Sequence, residues 1–271
     1  GVEHSYSPNL EIFLQRKLPE ITLQLTQNCN GRCSYCIYGG PTHSRQRTHS
    51  NKRMSWQTAK GAVDFLWNHS VDNSQVNIGF YGGEPLLQFP LIKKVVDYSE
   101  SRFSGKELTF AMTTNGTLLT EEIIYFLQDH NFSLVISLDG PKEIHDKYRV
   151  FADGRGTFET VTKKIELIKR VAPDYFKMLK ISMVIDPINN FDCTNSFHLG
   201  ASELRELHLL PSFVDYSYED RATTFSDEYI WRHEYQLFLA ILSKFKRFPD
   251  KDLSPIARAF ITRTTSNAFI S

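Results

Sequence analysis

Apolar positions along this chain follow two alternating periods. Glu20-Ile21-Thr22-Leu23-Gln24-Leu25 alternates polar and apolar residues, the period of a half-buried strand. Trp56 to Asn68 instead sets Ala59, Ala62, Val63, Leu66 and Trp67 on one helical face, with Ser55 as N-cap. Val76–Phe80 predicts a second strand ended by Gly82-Gly83, Pro90–Ser99 a helix, Leu108–Met112 a third strand, and Thr120–Asp129 a helix capped by Thr120. Leu134–Leu138 predicts a strand, and Asp139-Gly140-Pro141 stops it. A helix over Thr157–Lys169, a strand over Lys180–Ile185, a helix near Thr194–Glu206, a strand over Leu207–Phe213 and an amphipathic helix over Tyr229–Phe245 complete the series.

Six strand–helix units in succession predict parallel strands joined by right-handed crossovers, an α/β fold. Eight such units close a barrel; six give a partial, TIM-like (βα)6 barrel. Chemistry is then expected on loops at the carboxyl ends of the strands. The chain divides into an N-terminal extension over 1–19, the partial barrel over 20–215, and a helical segment over 216–271.

A length of 271 residues suits one large domain, and 41% hydrophobic with 23% charged residues excludes a disordered chain. The formal net charge of zero argues against a partner held by phosphate neutralisation, such as a long nucleic acid. No run of about 18 apolar residues is present, so no membrane span is expected. The start carries no basic segment followed by an apolar stretch, so no signal peptide is read. Three of the four cysteines crowd into Cys29–Cys36, which points to metal or redox chemistry in a reducing compartment, the cytoplasm. Cys193 stands alone and reads as an ordinary buried residue without chemistry. The loop Gly39–Arg53 gathers His43, Arg45, Arg47, His49, Lys52 and Arg53, which read first as a solvated basic loop and second as a surface that steers an acidic peptide or an RNA. Asp153-Gly154-Arg155-Gly156 reads as a turn, since no lysine follows in phosphate-loop spacing.

Cys29, Cys33 and Cys36 follow the first strand with spacing C-x3-C-x2-C. Iron–sulfur cubanes want thiolates, normally four. Three on a tight loop leave one iron open to a substrate or cofactor. A zinc site completed by His43 or His49 is the other reading, although structural zinc motifs usually pair two separated C-x2-C units. Tyr81-Gly82-Gly83-Glu84-Pro85 follows the second strand: the glycines permit close backbone approach, and Glu84 can accept from an ammonium group. Thr113-Thr114-Asn115-Gly116 follows the third strand and Ser137-Leu138-Asp139-Gly140-Pro141 the fourth, running on through His145-Asp146-Lys147-Tyr148-Arg149. Taken bare, these are turn residues.

Together the motifs resemble the radical S-adenosylmethionine superfamily, in its peptide- and protein-modifying (SPASM-type) branch. The resemblance implies a partial barrel with a [4Fe-4S] cluster on Cys29, Cys33 and Cys36. Its open iron takes S-adenosylmethionine (AdoMet). It implies that Tyr35 packs near the adenine, that Gly82, Gly83 and Glu84 hold the methionine amino group, and that Thr114 and Asn115 belong to the cofactor site. Ser137 and Arg149 match positions touching ribose and carboxylate, and an arginine fork suits a carboxylate. Leu207 matches an adenine-packing position loosely; an ordinary core leucine is the favoured reading.

The implied chemistry is reductive cleavage to a 5′-deoxyadenosyl radical that takes hydrogen from an unactivated C–H bond, with an electron supplied by a donor such as flavodoxin or ferredoxin. The closest likeness is to maturases of ribosomally made, cysteine-rich precursor peptides that form thioether links. Formylglycine formation, as in anaerobic sulfatase maturases, ranks second, and epimerisation or carbon–carbon linkage third. No further catalytic residue is assigned. These enzymes carry auxiliary [4Fe-4S] clusters in a cysteine-rich C-terminal region, whereas only Cys193 follows Cys36 here. The first expectation is therefore a part of a longer protein, and the alternative is a family member without auxiliary clusters.

Overall fold

The structure, a computed structural model, describes residues 9–36, 49–189, 191–200, 204, 207–214, 225–249 and 253–259. Among the described residues six strands alternate with helices: β1 (Glu20–Thr26), β2 (Gln75–Gly82), β3 (Glu107–Thr114), β4 (Phe132–Ser137), β5 (Lys180–Ile185) and β6 (His208–Phe213). They lie in one sheet in the order β1-β2-β3-β4-β5-β6. The pairings β1–β2, β2–β3, β4–β5 and β5–β6 are all parallel. Pro211 fits in β6 because that strand stands at the end of the sheet order among the described residues, where a strand tolerates a residue without an amide.

The helices are α1 (Leu10–Arg16), α2 (Trp56–His69), α3 (Phe89–Arg102), α4 (Glu121–Asp129), α5 (Lys142–Tyr148), α6 (Phe158–Val171), α7 (Pro173–Phe176), α8 (Phe191–Gly200) and α9 (Asp227–Lys244). Ser55 caps α2 by accepting from the Thr58 amide, and Thr120 caps α4 by accepting from Ile123. Both caps match the expectation from sequence. Helix α8 begins three residues earlier than expected. Helices α1, α5 and α7 and the short 3₁₀ turn Pro85–Gln88 were not expected, being too short for an apolar period to register.

The chain forms two compact units that interleave along the sequence. The first carries α1 to α4, β1 to β3 and the start of β4, through Leu134. Its core is aromatic: Phe80, Phe110 and Phe132, one from each of three strands, stack with centroids 5.1–6.1 Å apart and are essentially inaccessible. The second takes Asn30 onward in the cysteine loop, Asn115–Thr117, and the chain from Val135. Its core is built on alternation in β5, where Ile181, Met183 and Ile185 are buried, with Val161, Ile165 and Ile168 of α6. Among the described residues no helix is long and apolar enough to cross a membrane.

Candidate active site

In the first unit, the end of β2 is pressed against the backbone that leads into Cys29. The Gly83 amide donates to Thr26 O (2.8 Å) and the Glu84 amide to Asn28 O (2.9 Å). A Cβ on Gly83 would lie 2.1 Å from Asn28 O, and one on Gly82, at φ +136°, 2.4 Å from Thr26 O. The glycines are therefore required by the approach of two protein segments, whatever else they admit. Glu84 is completely buried. Its Oε1 accepts from the Leu86 amide (3.1 Å), capping the 3₁₀ turn, and from the Thr114 hydroxyl (2.7 Å) at the end of β3. Burying a carboxylate is costly unless it is hydrogen-bonded. Thr114 thus positions Glu84.

In the second unit the cysteine loop is zipped onto the segment after α5. Arg32 N donates to Val150 O (2.7 Å), Ser34 N to Tyr148 O (2.9 Å) and Ala152 N to Asn30 O (3.1 Å), with Gly31 and Phe151 bridged antiparallel. The Cys36 amide closes a turn on Cys33 O (3.1 Å). Asn115 Nδ2 donates to Asn30 Oδ1 (2.8 Å), and Asn30 Nδ2 donates to Thr117 Oγ1 (2.8 Å). The structure accordingly gives Asn115 a hold on the cysteine loop.

Asp139 sits at the centre of this unit's polar cluster, its side chain fully inaccessible. Oδ1 accepts from the Val184 amide (3.0 Å), and Oδ2 accepts from Arg149 Nε (2.8 Å) and from the Tyr35 hydroxyl. Arg149 lies over the Tyr35 ring, 5.3 Å from its centroid, and its Nη1 is 3.8 Å from Cys33 Sγ. Burial opposes the Arg149 charge, but the Asp139 carboxylate, Tyr35 and Cys33 outweigh it and hold the guanidinium above its ordinary pKa. Burial pushes the Cys33 thiol up, and Arg149 partly offsets this. Burial also pushes up the Tyr35 hydroxyl.

His145 fixes the same loop from behind. Burial pulls its pKa down to about 4, so the ring is neutral. Nδ1 accepts from the Asp139 amide (3.2 Å), which leaves the proton on Nε2, 2.8 Å from Thr157 Oγ1; the Thr157 hydroxyl donates to Arg149 O (3.2 Å). Asp139, His145 and Asn30 were not among the residues assigned from sequence. Their signal was visible only as turn chemistry, because bonds across tens of residues leave no local spacing.

Among the other expected residues, Ser137 ends β4 at its carboxyl end, in register with Ser182 of β5. Leu207 is buried just before β6, at the amino end of that strand, with its amide on Leu204 O. Cys193 is exposed on α8, contrary to the expectation of burial. Asp153–Gly156 is a turn as expected: Gly154 has φ +87°, and Asp153 accepts from the Arg155 amide. His43, Arg45 and Arg47 lie outside the described residues.

In the second unit the donors fit an iron–sulfur cluster: Cys33 and Cys36 are soft thiols on a loop pinned by its own backbone, with a guanidinium against one sulfur. In the first unit the buried Glu84 carboxylate suits an ammonium group. Among the described residues no three His, Cys, Asp or Glu side chains gather as a single metal ion would require.

Thiol-bearing loops on parallel strands define an α/β protein of the cluster-binding class. Residues 23–198 match the Radical SAM superfamily, and the chain belongs to it. It is an enzyme of the (βα)6 partial-barrel type that uses a [4Fe-4S] cluster and AdoMet. It is 31% identical over 153 residues to the cysteine-type anaerobic sulfatase-maturating enzyme of Clostridium novyi, covering 55% of this chain and 40% of that protein. It is 26% identical over 174 residues to the radical SAM cyclopropyl synthase TigE of Paramaledivibacter caminithermalis, covering 62% and 36%. The solved structure of native anSMEcpe with bound AdoMet and the Kp18Cys peptide shares the fold: TM-score 0.66, 20% identity, 85% of this chain and 63% of that one. The chain thus spans less than half the length of these curated relatives.

Proposed function

We propose that this protein is a peptide- or protein-modifying radical SAM maturase. The observation that carries the reading is the polar cluster binding the cysteine loop to Arg149 and Asp139, supported by relatives that are sulfatase maturases and a cyclopropyl synthase. Cys29, Cys33 and Cys36 are the proposed cluster ligands. Glu84, with Gly82 and Gly83 bringing it to its place, receives the AdoMet amino group. Arg149, with Nε on Asp139 and Nη1 toward Cys33, offers Nη2 to the carboxylate, Ser137 lies toward the ribose, and Tyr35 covers the adenine side. When bound and reduced by one electron, the cluster and AdoMet supply a 5′-deoxyadenosyl radical, and the chain's part is to orient it in a dry cavity.

The substrate is a peptide side chain, and two products divide the reading. The motif resemblance favours a thioether link in a cysteine-rich precursor. The 31% identity to a cysteine-type sulfatase maturase favours oxidation of a cysteine to formylglycine, and the peptide bound in anSMEcpe supports a peptide substrate for either. The electron donor is a flavodoxin or ferredoxin. Mass spectrometry of both kinds of peptide after anaerobic turnover tests the proposal. A thioether appears as loss of a pair of hydrogens, and formylglycine as replacement of the thiol by an aldehyde. Formation of 5′-deoxyadenosine without change to either peptide would overturn the maturase reading.

A further inference from the structure

We propose that Asp139 is a positioning residue for the cluster, acting through Arg149 on Cys33 to set how readily the cluster accepts its electron. The inference rests on the reading of Cys33 as a cluster ligand.

Asp139 is fixed from every side. Its backbone amide is held by His145, one side-chain oxygen by the Val184 amide of β5, and the other by Arg149 and the Tyr35 hydroxyl. Such a carboxylate has no freedom to follow a ligand. Arg149 is equally constrained: its carbonyl accepts from Thr157, its amide from the last turn of α5 donates to His145 O, and its Nε is committed to Asp139. What remains of its fork reaches Cys33 Sγ at 3.8 Å. The guanidinium is thus set between a fixed carboxylate and a sulfur. The fold itself does not require this, since a buried ion pair is commonly replaced by apolar residues of similar volume without loss of stability.

The electrostatics give the arrangement a sign. One-electron reduction takes the cluster from [4Fe-4S]2+ to [4Fe-4S]+, so negative charge grows on its irons and sulfurs. A cation donating to a ligand sulfur favours the reduced form, and hydrogen bonds to the sulfurs and local charge are among the levers on such potentials. Asp139 opposes that pull by holding an anion against the same guanidinium. Its carboxylate therefore keeps the reduced cluster a strong donor, as cleavage of a sulfonium demands.

Two substitutions then act in opposite directions, which a merely structural role would not produce. Asp139→Asn keeps the shape and the Val184 acceptor but removes the anion, so the cluster becomes easier to reduce. Arg149→Gln removes the cation, so it becomes harder. The experiment is a redox titration of each reconstituted protein without AdoMet, with dithionite as the one-electron donor and viologen mediators, read by the paramagnetic signal of the reduced cluster. The expected result is about a tenfold rise in the reduced-to-oxidised ratio at fixed potential for Asp139→Asn and about a tenfold fall for Arg149→Gln, each a shift of about 59 mV. Reduced-to-oxidised ratios within twofold of the unsubstituted protein at the same potential, or shifts of the same sign, overturn the proposal. Should Arg149→Gln fail to hold iron, Asp139→Asn alone decides by the same criterion. An unsubstituted protein that takes up no iron and sulfide overturns the cluster assignment itself, and the inference falls with it.

Discussion

Replacing Gly83 by alanine tests the claim that this glycine serves the packing of β2 against the strand leading into Cys29. The added Cβ would meet Asn28 O at 2.1 Å and Asn28 C at 2.6 Å. Both are backbone atoms, so no rotamer change relieves the clash. Withdrawing Asn28 O by about 1.3 Å, to reach ordinary contact, stretches the Glu84 N–Asn28 O bond of 2.9 Å beyond hydrogen-bonding range and weakens Gly83 N–Thr26 O at 2.8 Å. Two backbone bonds are worth about 1 kcal/mol each net. Overpacking adds about 1–3 kcal/mol. The expected loss is therefore about 3–5 kcal/mol, measured as a lower denaturant midpoint at unchanged slope. Gly61→Ala is the matched control: its Cβ meets nothing within 4 Å in the middle of α2, and helix propensity there favours alanine by about 1 kcal/mol. A Gly83→Ala protein within about 0.5 kcal/mol of the unsubstituted chain would refute the reasoning.

Further expectations concern the buried groups. Glu84→Gln preserves the Leu86 and Thr114 contacts but removes the charge, so AdoMet binding measured by calorimetry on the reconstituted protein should weaken about tenfold or more, with the melting temperature little changed. Leu207→Ala should lower stability by about 2–5 kcal/mol while leaving AdoMet affinity unchanged, because the side chain is a core residue at the amino end of β6. His145 and His198 are both pulled down to about 4 by burial, whereas in the unfolded chain they take up protons near pH 6.5. The stability that neutral burial contributes is full above about pH 6.5 and is lost as pH falls toward 4, by on the order of 3 kcal/mol for each histidine. Denaturation at pH 7 and pH 5 should show the decline, and His198→Phe should make it shallower. Equal stability at the two values would contradict both assignments.

The order of strands and helices was legible because long elements print their period on the sequence. Strand β5 begins and ends where alternation over Lys180–Ile185 places it, and the Ser55 and Thr120 caps mark true helix starts. Short elements were not legible: α5 spans seven residues, too few for a period, although it carries both His145 and the approach to Arg149. The cysteine spacing and the Gly-Gly-Glu-Pro motif identified the chemistry because ligands on one loop must be close in sequence as well as in space.

What each motif residue does was decided only by tertiary structure. Gly82 and Gly83 were read as permitting close backbone approach, and the structure adds that the backbone of Thr26 and Asn28 makes such an approach. Thr114 and Asn115 were assigned to the cofactor site by resemblance, and the structure adds that one holds Glu84 and the other holds Asn30. Asp139 read as a strand stop, and it anchors Tyr35, Arg149 and β5 together. The sequence by itself determined which atoms are available for chemistry, because residue types and loop spacing suffice for that. Which of those atoms are spent on one another was determined only when segments more than a hundred residues apart, such as Cys33 and Arg149, came into contact. A pattern of local spacing carries no record of such a partner.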